Sequence, residues 1–350
     1  SLQSARTGMS VSQASIQTTS HNLNNLNTPG YSRQRVEQSA RSAYSYPGYS
    51  STLGAGQLGT GVEATDITRI RNTFYDFQYR SETHGFGETG IKYDHYTTME
   101  NIFGEPSETG ISASINNFFT SWQELAKNPE DKGSKDIVIQ NSDYLAKKIS
   151  NAYSKLDNLS ESAQKKLDEN VKEVNGKLDQ LKELDKQIRL IQGSGKSPND
   201  LMDERDKILD DLSFKMNIHD EDVQKLMKNK IENGKDITAA DLKAIKTVSG
   251  EIKGSLEMIE KINGFKEDVK ELAKGINDSV NKALGMDFFE VGTKPILKVK
   301  DDILNKTTDI NVSADTAQKL YKLKDAKVSI GKDNITINNF YNDTIQRLGN

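Results

Sequence analysis

Cysteine is absent from the 350 residues, so disulfides and thiolate metal sites are excluded, although the absence does not place the protein inside or outside a cell. Long apolar runs are absent too. No stretch approaches the roughly 18 residues of a membrane span, so no membrane insertion is expected. Ser1 to Arg6 lacks the basic-then-apolar layout of a secretory signal, and an exported form would need a route without a cleavable signal peptide. The net charge is only -4, which gives no electrostatic case for nucleic acid or an anionic membrane as partner. Hydrophobic residues make up 34% of the chain against 28% charged, with a mean hydropathy of -0.70. That balance suits an elongated helical architecture better than one large globule, at a length sufficient for two or three domains.

Catalytic groupings are equally scarce. "GAGQLG" at 54 to 59 fits a dinucleotide-binding pattern, but no strand precedes it and Gly61 spoils the helix that should follow. "GSGKS" at 193 to 197 imitates a phosphate-binding loop, yet Leu190 occupies the place of its first glycine and the segment follows a helix. His21, His84, His95 and His219 are scattered, and none begins a His-Glu-x-x-His zinc motif. The sequence therefore predicts no enzyme, no cofactor and no metal site.

What is present is helical periodicity. The first lysine is Lys92, and the segment before it uses only arginine in a background of Ser, Thr, Gln, Asn and Gly, so it behaves as its own unit. Leu2, Ala5, Met9, Ser12, Ile16, Thr19, Leu23 and Leu26 advance by threes and fours as a heptad seam, thinned by its polar members. So narrow a stripe leaves a helix marginal alone, and the seam predicts a partner. In "HNLNNLNTPGYSRQRV", Thr28-Pro29-Gly30 ends that helix, because proline restricts the residue before it and glycine permits left-handed backbone.

Residues 38 to 61 read as loop. Ile67, Ile70, Phe74 and Phe77 then predict a helix interrupted by Gly85, Gly87 and Gly90. Further helices follow through Tyr93, Tyr96, Met99 and Phe103, and through Ile111, Ile115, Phe118, Phe119 and Trp122, with the aromatics expected to pack between helices. The longest signal runs from Leu145 to Ile191 with a mean step near 3.5 residues, a coiled-coil-like rod. Ser197 and Pro198 are expected to cap and start the next helix. Beyond Phe214 come lysine-rich helices and the strand candidates "PILKVK" and "AKVSIG", and a final helix passes through Ile337, Phe340, Tyr341, Ile345 and Leu348. The fold class expected is mainly α: an elongated helical bundle or coiled-coil rod with a small inserted α+β domain and a partner-dependent N-terminal helix. Its expected divisions are 1–61 as axial helix and linker, 62–213 as helical rod completed by 335–350, and 214–334 as an inserted outer α+β domain.

The opening "SARTGMSVSQASIQTTSHNLNNLNTPGYSRQRV" resembles the N-terminal signature of flagellar axial proteins, and its Asn-Thr-Pro-Gly-Tyr-Ser-Arg-Gln ending resembles the hook-associated FlgK family. "GTGVEATDITRIRNTFYDFQYR", "FFTSWQELAKNPED", "SPNDLMDERDKILDDLS" and "INDSVNKALGMDFFEVG" resemble further segments of that family in the same order. The resemblance implies a non-enzymatic joint between flagellar hook and filament. It implies as partners other copies of itself in a ring or helical layer, the hook protein, the second junction protein FlgL, and the flagellar type III export apparatus with its chaperone. The location implied is extracellular.

Carried onto this sequence, the resemblance implies an assembly interface of Leu2, Ala5, Met9, Ile16, Leu23 and Leu26 in an inner tube. It implies also an outward turn made by Asn27, Thr28, Pro29, Gly30, Tyr31, Ser32 and Arg33. A C-terminal helix beyond Asn350, pairing with the N-terminal one, is implied as well. Another axial subunit, from the hook or distal rod, is the alternative, and a secreted surface adhesin using 214–334 is a further one.

Overall fold

The computed structural model describes residues 2–43 and 59–349. Most of "GAGQLG", and most of the loop read between 38 and 61, lie outside the described residues. The described chain is mainly helical, as expected, with three small two-stranded sheets. It divides into two compact units, Ser1–Glu88 with Glu169–Lys253, and Thr89–Asp168 with Gly254–Asn350. Three helices cross these boundaries in sequence: α2 (Thr73–Phe103), α4 (Lys132–Gln192) and α8 (Gly250–Leu284).

The first unit begins with α1 (Leu2–Asn24), followed by strands β1 (Gln34–Ala40) and β2 (Val62–Arg69). The strands pair antiparallel from Gln34↔Arg69 to Ala40↔Val62, with an irregularity between Glu37 and Gln38. The helix expected from Ile67 onward is thus a strand as far as Arg69, and α2 starts only at Thr73. Thr65, Ile67 and the neighbouring Thr68 are β-branched, and a spacing of three between Ile67 and Ile70 does not outweigh the ladder that 34–40 offers.

The expected interruption at glycines 85, 87 and 90 is also corrected, since α2 runs through all three. At Gly87 the reason is close approach: a Cβ there would lie 2.3 Å from the Phe214 carbonyl oxygen. The glycine admits a neighbouring backbone instead of ending the helix.

α5 (Asn199–Lys215), α6 (Glu221–Asn233) and α7 (Ala239–Lys243) complete this unit. Pro198 stands at the start of α5, but Ser197 does not cap it; its hydroxyl bonds the Asp66 carboxylate instead. α6 carries a capping aspartate, Asp220, whose carboxylate accepts from the N–H groups of Asp222 and Val223, and it closes on Gly234 at φ +71°. Val174, Leu178 and Leu181 of α4 are buried along the seam read from sequence, with Leu212, Met216, Val223 and Leu242 among the other buried residues of the unit. Asn175 ties the segment before α7 to α4: its amide donates to the Ile237 carbonyl and its carbonyl accepts from the Ile237 N–H, both at 2.8 Å.

The second unit contains α3 (Ile111–Lys127), α9 (Asp301–Leu304), α10 (Ala314–Lys322) and α11 (Ile337–Leu348). Its two hairpins are β3 (Phe289–Val291) with β4 (Leu297–Val299) and β5 (Val328–Ile330) with β6 (Asp333–Ile335). The strand candidates after residue 290 are present. The aromatics of α3 form the core, as read from their spacing: Phe118 meets Phe119, Trp122 and Phe289 with centroids 5.1 to 6.3 Å apart, and Trp122 meets Phe288 at 5.8 Å. Ile337, Phe340, Tyr341 and Leu348 of α11 are buried in the same cluster, so that helix has its cover within its own unit. The Tyr341 hydroxyl donates to Glu105, and burial followed by the charge of Glu105 raises its pKa.

Candidate assembly surface and its turn

α1 has two faces of opposite use. Val11 and Thr18 are buried, flanked by half-buried Ser4, Thr7, Gly8, Ala14 and Ser15, and this small-residue face rests on β1 and β2. Thr7 touches β2 there, its hydroxyl accepting weakly from the Val62 N–H at 3.4 Å, and the Gln38 amide donates to Ser15 at 3.3 Å. The seam lies on the other side. Leu2, Ala5, Met9, Ile16, Leu23 and Leu26 are all exposed, Leu2 by 92% and Ile16 by 70%. One partner of the N-terminal helix is therefore in the chain itself, yet the hairpin leaves the apolar stripe uncovered. Apolar residues aligned on an exposed helix face are the ordinary mark of a surface that meets another chain.

The turn after α1 is held by a side chain that sequence reading passed over. Asn22 accepts from the Gln34 N–H at 2.8 Å and donates to the Gln34 carbonyl at 2.9 Å, imitating one more rung of a β-ladder. The Tyr31 hydroxyl donates to the same Asn22 oxygen at 2.8 Å, and the Tyr31 ring meets His21 edge-on at 5.4 Å. Thr28 donates its hydroxyl to Asn25 and its N–H to the Asn25 carbonyl, while Gly30 takes φ +83°. Asn27, Thr28, Pro29 and Gly30 are exposed, Tyr31 is half-buried and Ser32 is buried. Arg33 projects to solvent while its carbonyl accepts from the Ile70 N–H at 2.7 Å.

Below the turn, α5 presents Asp203, Asp206 and Asp210 to three arginines. The Ser32 N–H donates to Asp203 at 2.7 Å, and Arg69 bridges Asp203 at 2.9 Å and Asp206 at 2.5 Å. Arg80 reaches Asp210 at 2.6 Å and Asp206 at 3.1 Å, and Arg71 pairs with Asp76 at 2.7 Å and stands 3.4 Å from Asp206. Burial opposes charge on Asp206, but the hydrogen bonds of Arg69 and Arg80 and the charges of Arg69 and Arg71 outweigh it, and its pKa falls below the usual carboxylate value. At Asp210 burial prevails over Arg80 and Arg71, with Asp76 adding to the rise, and the pKa goes up. A sequence signal for the cluster exists: carboxylates spaced by three and four in "DERDKILDD" share one helical face.

The first half of α2 holds aromatics to solvent: Phe74, Tyr75, Phe77, Tyr79 and Phe86 are more than half exposed. Of the face read through Tyr93, Tyr96, Met99 and Phe103, Met99 and Phe103 are buried but Tyr93 is 70% exposed, so that aromatic does not pack as expected. Phe77 stacks at 4.4 Å on His219, whose pKa burial and then Arg80 hold down. The remaining histidines are apart: His84 lies 2.7 Å from the Ser249 hydroxyl and His95 bonds the carbonyl of Ile91 in its own helix. Among the described residues no helix is long and apolar enough to cross a membrane.

Comparison with known proteins places the class first. Residues 2–31, which hold α1 and most of its turn, match the family described as flagella basal body rod protein. Residues 96–237 match a narrower one, the flagellar hook-associated protein FlgK helical domain. The chain is 34% identical to flagellar hook-associated protein 1 of Bacillus subtilis over 62% of its own length and 43% of the relative's. With the protein of that name from Salmonella typhimurium it shares 29% over 60% of this chain and 37% of that one, and with the Escherichia coli protein 28% over 61% and 38%. The hook junction protein FlgK of Burkholderia pseudomallei superposes with a TM-score of 0.47 at 17% identity, over 61% of this chain and 46% of that one. The resemblance read in the opening stretch is thus borne out, and the relatives are structural hook-associated proteins of the bacterial flagellum. The matched part spans about two fifths of the length of these curated relatives.

Proposed function

We propose that this chain is a structural subunit of the bacterial flagellum at the junction of hook and filament, exported to an extracellular position. It joins copies of itself, the hook protein and the second junction protein FlgL, after passage through the export apparatus with a chaperone. The observation that carries this reading is the outward stripe of Leu2, Ala5, Met9, Ile16, Leu23 and Leu26, left open by a helix that is already folded on its hairpin. The turn from Asn27 to Arg33, pinned to α5 through Ser32, then carries the chain away from the tube wall that the stripe would build.

The match of residues 2–31 to rod proteins also favours a hook or distal-rod subunit. The helical-domain match over 96–237 weighs towards the junction.

The test substitutes Ile16→Asp, with Ser10→Asp as an exposed control off the stripe. In the monomer Ile16 is 70% exposed, so both variants should melt within about 0.5 kcal/mol of the parent. In an assembled wall a charge at residue 16 would be desolvated without a partner. Ile16→Asp should therefore abolish filaments and swimming in cells that depend on this chain, while Ser10→Asp supports both. Normal motility of Ile16→Asp cells, with the variant seated at the hook tip, would overturn the placement of the stripe.

A further inference from the structure

In the second unit a cleft of about 690 Å³ opens beside β5, between α8 and the end of α10. That volume falls within the roughly 300–1,000 Å³ of ordinary ligand pockets. Lys274, Lys282, Lys319 and Lys327 line it against the carboxylates Glu271 and Asp278, an excess of two positive charges (four minus two). Lys319 pairs with Asp315 at 3.3 Å. Lys274, Lys282 and Lys327 form no ion pair within 4.0 Å among the described residues. Ala283, Leu323 and Val328 add apolar lining to the cleft.

The second observation is a free strand edge. β5 and β6 are joined by the two residues Gly331 and Lys332, with Gly331 at φ +60° as a tight hairpin requires. Ile330↔Asp333, next to the turn, and Val328↔Ile335 are then the hydrogen-bonded pairs, and Ser329↔Asn334 is the pair between them. The N–H and C=O of Ser329 consequently face away from β6. No other strand pairs with β5 among the described residues, and Ser329 lines the cleft.

We propose that this cleft binds an extended acidic peptide segment of a partner protein by adding it as a strand along β5. The Ser329 backbone would supply the main-chain bonds, alternate carboxylates of the peptide would meet Lys274, Lys282 and Lys327, and the intervening small apolar side chains would lie on Ala283, Leu323 and Val328. Strand addition divides its work in this way, main chain for affinity and alternate side chains for selection. Lysines on an edge also serve simply to repel other strands, and the experiment separates the two roles.

Fluorescence anisotropy of a labelled peptide alternating Glu and Val, titrated with the full chain, is the direct measurement. Saturable binding that weakens with added salt is expected, with no binding of the matching Lys and Val peptide. Joint Lys282→Glu and Lys327→Glu substitution should weaken it by about tenfold or more. The same peptide N-methylated at alternate residues cannot pair with the edge and should bind about tenfold more weakly to the unaltered chain, a comparison that holds even if the lysine variants fail to fold. Absence of binding overturns the proposal, as does binding indifferent to the lysine reversals. Equal binding by the N-methylated peptide, or by a heparin fragment with the same dependence on the lysines, would reduce the cleft to a general anion patch and overturn strand addition.

Discussion

Asn22 and Gln34 pair as though they were neighbours in a sheet, although one is a side chain on a helix and the other the first residue of a strand: amide to carbonyl at 2.9 Å and N–H to carboxamide oxygen at 2.8 Å. The pairing fixes the direction in which the chain leaves α1, because the intervening turn is itself exposed from Asn27 to Gly30. With Tyr31 bound to the same oxygen, one carboxamide holds both ends of the turn.

Asn22→Ala should therefore destabilise the first unit by about 1–3 kcal/mol, the usual penalty for stripping partners from part-buried polar groups. Hydrogen exchange should accelerate first at Gln34, ahead of Val36 and Val62. Unchanged protection at Gln34 would show that the turn holds without Asn22.

Acid should loosen the clasp below the turn. The folded pKa of Asp206 lies below its unfolded value, so its contribution is fully present above the unfolded value near 3.8 and is lost as pH falls through the folded one. Asp206→Asn should lower the melting temperature at pH 7, with a cost of up to about 3–5 kcal/mol for breaking a buried pair, and the gap to the parent should close below pH 3.8. Asp210 has a raised pKa, so its ionisation costs stability as pH rises through the carboxylate range, and the pH dependence of Asp210→Asn against the parent should have the opposite sign. A melting difference for Asp206→Asn that stays constant from pH 7 to pH 3 would contradict the assignment.

Glycines two residues apart in α2 should respond in opposite directions. Gly85→Ala adds a methyl where nothing lies within 4 Å and should stabilise the helix by about 0.5–1 kcal/mol. Gly87→Ala drives a methyl into the Phe214 carbonyl and should destabilise by about 1–3 kcal/mol or more. Chemical denaturation of the two variants checks the pair, and equal effects would place α2 differently against the Phe214 backbone.

The legible parts of the fold were those in which one spacing dominates. Along α4, Leu145, Ile149, Leu156, Leu167, Val174 and Leu178 are buried as their period requires, each within its own unit. The aromatic face of α3 was equally plain, since Phe118, Phe119 and Trp122 recur at helical intervals with no competing pattern. Ile67 and Ile70 were misread because three-residue spacing and β-branching make competing suggestions over so short a run, and pairing with a strand about 30 residues earlier decided between them. The glycines of α2 misled for a related reason: a glycine that admits another backbone looks, in sequence, like one that ends a helix.

By itself the sequence determined the helical class, the long seam, the turn at Pro29 and Gly30, and the heptad stripe from Leu2 to Leu26, because each is a periodicity or a local backbone constraint carried by adjacent residues. Tertiary structure decided which side of α1 is covered. Both faces of that helix are regular, one apolar and one small and polar, and the hairpin that takes the small face is assembled from segments on either side of a long connection. It likewise decided that Asp203 and Arg69 hold the turn, since hydrogen bonds between residues over a hundred positions apart leave no local period from which they can be read, and that Asn22 does so by bonding Gln34 across a turn rather than along its own helix.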